Sequence, residues 1–359
     1  MSIHRRNILL AGAGALAAAL AMPPAAAQDT AWAGSPAHAA AIGKLYEEAV
    51  AARQTQVIVY GGYSALFKPL WDVFTARFPT VTVVPNPLTG PRLVSKLDAE
   101  FAAGKTEGDV LMAGMTELLY NVSKDRVTPY RPPNADTIPA RFVDPQGRFL
   151  VEFADAFGTL YNTNHFKPAD MPRTVQDLAD PRYKGQFIFD NPLGGGGATL
   201  VWIELHNSGL IDPRTMRAIR DNATMVPSMP PMYGNLSAGS VKMIPWGSFT
   251  RYLQMKEAGA PVGFHYIDKG VVPLFGGTSI LKGAPNDKTA RLFQAWFLTP
   301  EAQQAVVSKG NSYPVLPSVK IGADWKPMAD LLAPLKLVPP ADYTNVRANF
   351  EQTLKQALQ

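Results

Sequence analysis

Four histidines follow residue 27 of this 359-residue chain: His38, His165, His206 and His265. No two have the spacing of a metal-ligating pair, and His-Glu-x-x-His does not occur, so the helix-borne zinc hydrolase pattern is absent. The sequence has no cysteine, which excludes a thiolate nucleophile and most zinc sites. Ser64 stands in Gly62-Tyr63-Ser64-Ala65-Leu66, without the second glycine of a nucleophile elbow. The glycine run 194–197 invites a phosphate-loop reading, but no Gly-Lys-Ser/Thr follows it. Four glycines between a strand and a helix equally make a plain connector. These residues favour binding over catalysis: no catalytic residue, cofactor or resident metal is expected, and a periplasmic hydrolase is the weakest alternative.

Loops at the ends of apolar segments carry more. Gly61-Gly62-Tyr63-Ser64, Thr89-Gly90-Pro91-Arg92 and Gly114-Met115-Thr116 follow three such segments in the first half. Asn191 with Gly195 and Gly196, and Trp246-Gly247-Ser248 with Arg251, do so in the second. In open α/β sheets ligands bind beyond the carboxyl ends of the strands. Helix N-termini placed there present free N–H groups and partial positive charge, which suit an anion or a polar oxygen. Each residue also has a bland role open to it. Ser64 and Ser248 are natural N-caps, Trp246 is a natural core residue, Thr89-Gly90 a natural turn, and Arg92 a natural solvent-facing charge.

The elements that must position these loops follow from hydrophobic period. Residues 56–60 (QVIVY) read as a short buried strand, and 64–78 as an amphipathic helix with Leu66, Leu70, Phe74 and Phe78 on one face. Strands are expected at 81–84 and 109–112, with a helix over 91–103 between them. Apolar strands separated by amphipathic helices mean βαβ units and a parallel sheet covered on both faces. A second series covers 186–190, 198–206, 214–221, 241–245, 249–258 and 262–265. Extended crossings are expected at 149–162 and 270–281, and helices at 290–296, 300–308 and 346–358. No internal sequence repeat is found.

The N-terminus reads as an export signal over residues 1–27. Arg5-Arg6 precede an uncharged apolar run over 8–22, then Pro23-Pro24 and Ala25-Ala26-Ala27. The run is about fifteen residues, short of the about twenty a spanning helix needs. Arg5-Arg6 also resemble a twin-arginine signal, so both export routes stay open. The formal charge of +5 falls by two with the signal. Without a dense Lys/Arg run, nucleic acid is not an expected partner. With 47% apolar residues the chain can bury a large core, and a mature length of about 330 residues suggests two domains.

Several motifs recur in order. They are Thr89-Gly90 with Lys96-Leu97-Asp98-Ala99-Glu100; Gly108-Asp109-Val110; Gly158-Thr159-Leu160-Tyr161-Asn162; and Asp177-Leu178-Ala179-Asp180-Pro181-Arg182-Tyr183-Lys184-Gly185. Gly283-Ala284-Pro285-Asn286, Ala290, Phe293 and Thr299-Pro300-Glu301-Ala302-Gln303 complete the set. With them the chain resembles the periplasmic solute-binding proteins of ABC importers, in the subgroup of ferric-iron, polyamine, thiamine and phosphonate binders. The resemblance implies a two-lobed α/β, type II periplasmic binding protein fold with a hinge of two crossing strands. One lobe is expected from 28–157 and 272–359, the other from 158–271. It also implies a small-molecule ligand, an ABC permease in the inner membrane as partner, a monomer, and residence in the periplasm. A sensor's ligand-binding subunit is the alternative assembly. Iron-binding members carry adjacent tyrosines where this chain has Ile244-Pro245-Trp246-Gly247-Ser248, which argues against iron. Asp155, at the expected hinge, and Trp246 would suit a polyamine. Arg92 and Arg251 beside helix-opening loops favour a small polar or anionic organic solute. The expected ligand set is Tyr63, Ser64, Thr89, Gly90, Arg92, Gly114, Asp155, Asn191, Gly195, Gly196, Trp246, Ser248 and Arg251.

Overall fold

The computed structural model describes residues 30–193, 197–226, 229–338 and 342–358. The expected signal, 1–27, and Gly195 and Gly196 lie outside these residues.

In the first half, α1 (Pro36–Ala51) is capped by the Ser35 hydroxyl, which accepts from the His38 N–H. Strand β1 (Gln56–Tyr60) then lies between β2 (Thr82–Asn86) and β3 (Val110–Gly114), parallel to both. The edge strand β2 tolerates Pro85, because a residue without an N–H leaves a gap only on an unpaired side. The single helix expected over 64–78 is two: α2 (Gly62–Leu66) and α3 (Lys68–Arg77). Pro69 explains the break, since proline is accommodated in a helix's first turn and not in its interior. Helix α4 (Gly90–Ala102) follows β2 as expected. Helix α5 (Met115–Ser123) and the short β4 (Val127–Thr128) were not foreseen.

Strand β5 (Leu150–Asn162) is buried along its whole length and belongs to both halves. The second half adds β6 (Ile188–Asp190), α6 (Gly197–Asn207), α7 (Pro213–Asn222), β7 (Thr224–Val226), α8 (Pro230–Ser237), β8 (Met243–Ser248), α9 (Phe249–Glu257) and β9 (Val262–His265). Strand β10 (Val272–Leu281) returns antiparallel to β3 and to β5. The early part of β5 pairs with β10, and its end pairs with β8 and β9. An isolated parallel bridge, Phe187 to Met243, joins the β6–β7 pair to β8. The first half therefore runs β2-β1-β3-β10-β5 and the second β7-β6-β8-β5-β9. Both orders place one antiparallel crossing strand beside the third parallel one. The halves share a topology without sharing a sequence repeat.

Helices α10 (Asp287–Phe297) and α11 (Pro300–Ser308) return to the first half against α1 and α3, and β11 (Tyr313–Pro314) pairs with β5. The chain end departs from expectation. Helix α13 (Tyr343–Leu358), beyond α12 (Met328–Leu332), packs on α7 and α6 of the second half. Phe350 and Leu354, one turn apart, enter the same apolar cluster as Trp202, Met216 and Ile219. An apolar stripe of period 3.6 must be buried somewhere, and α7 supplies the facing surface.

Candidate functional site

Residues from both halves and from the crossing strand line one cavity of about 270 Å³. The first half supplies Gly62, Tyr63, Thr89, Gly114 and Glu117; β5 supplies Asp155 and Phe157; the second half supplies Met229, Tyr233, Ser248 and Arg251. Gly62 opens α2, while Thr89, Gly114 and Ser248 are the N-caps of α4, α5 and α9. The chain can turn into α2 there because Gly61 holds φ at +120°, a conformation open to glycine, and a Cβ would lie 1.9 Å from the Met112 carbonyl oxygen. The Thr89 side chain makes no capping hydrogen bond and Gly114 has none to make. The Gly90 and Arg92 N–H groups that open α4 thus lack a cap side chain, while in the first turn of α5 the Glu117 carboxylate accepts from its own N–H.

Asp155 and Ser248 form the polar centre of the site. Its Oδ2 accepts from the Ser248 hydroxyl and its Oδ1 from the Thr250 N–H at 3.1 Å. Ser248 Oγ in turn accepts from the Arg251 N–H at 3.1 Å. Burial pushes the Asp155 carboxyl up from 3.8 to about 6, against the hydrogen bonds and the Arg251 charge that favour its ionised form. Burial also raises Glu117, in the first turn of α5. The Tyr233 hydroxyl accepts from the Ser248 N–H at 3.0 Å and meets Met229 Sδ at 2.9 Å. Tyr63 lies edge-on to Phe153 with ring centroids 4.6 Å apart. Burial raises both phenols, with the Asp155 charge adding to it. Arg251 is exposed at the rim, its Nη1 donating to Gln254 Oε1 at 2.9 Å.

Of the expected ligand set, Tyr63, Thr89, Gly114, Asp155, Ser248 and Arg251 come together here. Others do not. The Ser64 side chain is fully buried and donates to the Gly61 carbonyl at 2.7 Å, tightening the α2 turn. Gly90 is spent on the entry to α4, with φ +55°, and Arg92 is exposed on that helix, outside the cavity lining. Asn191 closes a turn, its Oδ1 accepting from the Leu193 N–H at 3.0 Å. Trp246 is core: 1% exposed, it packs edge-on against Trp202 and Phe189, with centroids 5.7 and 5.9 Å away. In strand β8 it faces the second-half core while Ser248, two residues on, reaches the cavity. The segment 177–185, the strongest sequence motif, is a structural connector. Asp177 accepts from the N–H groups of Arg173 and Thr174, and the Tyr183 hydroxyl donates to the Asp170 carbonyl.

Glu117 and Tyr233 were missed. Glu117 lies on the unforeseen helix α5 and Tyr233 on the unforeseen α8, so no expected loop pointed to either. Tyr63 and Tyr233, far apart in the sequence, line the same cavity. No histidine is among the described residues that line it, and the Ser248 hydroxyl donates to Asp155. No cluster of three or more His, Cys, Asp or Glu suited to a metal occurs among the described residues.

Solved structures share this fold. Iron-bound HitA from Pseudomonas aeruginosa matches with a TM-score of 0.70 and 21% identity, over 85% of this chain and 99% of that one. AfuA from Actinobacillus pleuropneumoniae, with exogenous fructose-6-phosphate bound, matches at 0.68 and 22%, over 85% and 97%. The fold is that of the two-lobed α/β periplasmic binding proteins. The family model described as bacterial extracellular solute-binding protein matches residues 114–334, more than half of the chain, and the chain belongs to that family. Curated relatives include an uncharacterized protein of Haemophilus influenzae, 27% identical over 229 residues (59% of this chain, 63% of that protein). The major ferric iron-binding protein of Neisseria meningitidis serogroup B is 23% identical over 190 residues (49% and 55%). The matches span less than two thirds of these relatives' own lengths. No helix among the described residues is long and apolar enough to cross a membrane.

Proposed function

We propose that this protein is the substrate-binding component of an ABC importer, exported to the periplasm, where it captures a small anionic organic solute and presents it to an inner-membrane permease. One lobe would comprise 28–157 with the returning chain from 272 through α11 and β11. The other would comprise 158–271 with α13 packed on it. The observation that carries the ligand reading is the convergence of the N-termini of α4 and α5 from the first half, with Arg251 from the second, on one cavity. Aligned N–H groups and a guanidinium suit a carboxylate or phosphate-type anion. Asp155 and Glu117, both raised by burial, suit it when protonated, because each then donates a hydrogen bond.

Ferric iron is the second reading, favoured by one observation: Tyr63, Tyr233, Asp155 and Glu117 supply hard oxygen donors to the same cavity. A thermal-shift screen against carboxylates, phosphorylated metabolites, phosphonates, polyamines and Fe(III) separates the two. A ligand at 100 times its dissociation constant stabilises by about 2.7 kcal/mol. Stabilisation by organic anions with no turnover is the expected result. Stabilisation by Fe(III) alone, with a tyrosinate-to-iron absorption band in the visible, would replace the anion reading with the iron one.

A further inference from the structure

A second cavity, of about 370 Å³, lies behind the crossing strands. No residue lines both it and the cleft. Helix α5 stands between them, with Glu117 lining the cleft and Met115 and Leu119 lining this cavity. Leu200 of α6, Phe275 of β10 and Leu337 close it from the other sides, so both halves contribute walls here too. The volume falls within the range of small-molecule sites.

Two polar side chains break the apolar lining, Arg141 and Glu204. Arg141 is exposed, its guanidinium over the Phe142 ring at 4.9 Å, so water screens its charge at the rim. Glu204 is 8% exposed. Its Oε2 accepts from the Val338 N–H at 3.0 Å, while Oε1 accepts from no group among the described residues. A carboxyl group largely withdrawn into the cavity wall, with one oxygen free of any protein donor, favours a ligand that brings a donor to it.

We propose that this cavity is a second ligand site, taking a small lipophilic amine whose ammonium meets Glu204 Oε1 and whose apolar body fills the space between α5, α6 and β10. A hydrocarbon would satisfy the walls and leave the carboxylate unmet. An anion would face it with like charge. Glu204 and the apolar walls lie outside the cleft, so the site stands whether the cleft binds an anion or iron.

The test titrates phenethylamine, propylbenzene and 3-phenylpropionate into the wild-type protein by calorimetry. Phenethylamine is expected to bind saturably, and at least about tenfold more tightly than either analogue, as a charge-assisted hydrogen bond implies. Glu204→Gln keeps an acceptor for Val338 and should lose that preference. Leu200→Trp should abolish binding by filling the cavity, and it serves as the test should Glu204→Gln fail to fold. Asp155→Asn, in the cleft, should leave phenethylamine affinity unchanged. Absence of saturable binding, equal binding of propylbenzene, or amine binding that survives both Glu204→Gln and Leu200→Trp would overturn the proposal. So would its loss in Asp155→Asn, because the amine would then be a cleft ligand.

Discussion

At Asp155, burial and hydrogen bonding pull the carboxyl in opposite directions, and burial prevails. Its folded-state value of about 6 lies above the ordinary 3.8. The charged form therefore costs stability above about pH 6, and the cost is relieved as pH falls from there towards the unfolded value. The neighbouring groups reinforce a pH effect on binding. Glu117 is also raised, and the Tyr63 and Tyr233 phenols, raised as well, stay neutral through this range. Arg251 is the cation among the lining side chains. An anion of constant charge, such as a sulfonate, should bind more tightly at about pH 5 than at about pH 7.5, because protonation of Asp155 removes a like charge. Calorimetry at the two values checks this; the opposite slope would favour Fe(III), which needs the ionised groups. Several single-residue roles were ambiguous in the sequence for a physical reason. A serine in a glycine-bearing loop can cap a turn or face a cavity with the same hydroxyl; Ser64 tightens a turn, while Ser248 caps α9 and lines the cavity. Trp246 and Ser248 lie on one strand, and only packing decides which end is core.

At the scale of elements, β5 is the segment on which the architecture turns. Its pairing passes from β10 to β8 and β9 around Phe157, with a register shift between Gly158 and Leu160. A Cβ at Gly158 would sit 2.5 Å from a Phe264 ring carbon and 3.3 Å from the His265 carbonyl oxygen. Gly158→Val should therefore destabilise the protein by about 1–3 kcal/mol, the usual cost of overpacking, read as a lower urea midpoint at unchanged slope. A midpoint equal to wild type would show that β5 and β9 separate without cost. The strands and most helices were legible because a period of 2 or 3.6 is written locally. Strand β9 and helix α11 fall where the pattern places them. Helices α5 and α8 were not legible: α5 follows β3 with no connector, and α8 opens on Pro230-Pro231, which reads as loop.

At the scale of the molecule, a cavity lined by two lobes joined through shared strands is the geometry of hinge closure. A ligand that touches both lobes favours the closed state by its differential affinity. Small-angle scattering should show the radius of gyration, about 20 Å for a compact chain of this length, falling when the cleft ligand saturates the protein. An unchanged value would mean that binding does not draw on closure. Helix α13, whose apolar face is buried on α7, is expected to move with the second half in such a closure.

The sequence by itself determined the export signal expectation, the alternation of strands and helices, the crossing strand at 149–162 and the family. Each of these is carried by local period or by motif order. Only the tertiary structure decided which loops meet. It set Tyr63 and Tyr233 in one cavity, added Glu117, withdrew Trp246 and Ser64, and sent the C-terminal helix to the second half. The reason is that a residue's face is fixed by register and packing between segments distant in the chain, and a one-dimensional pattern records the period of each segment and not its partner.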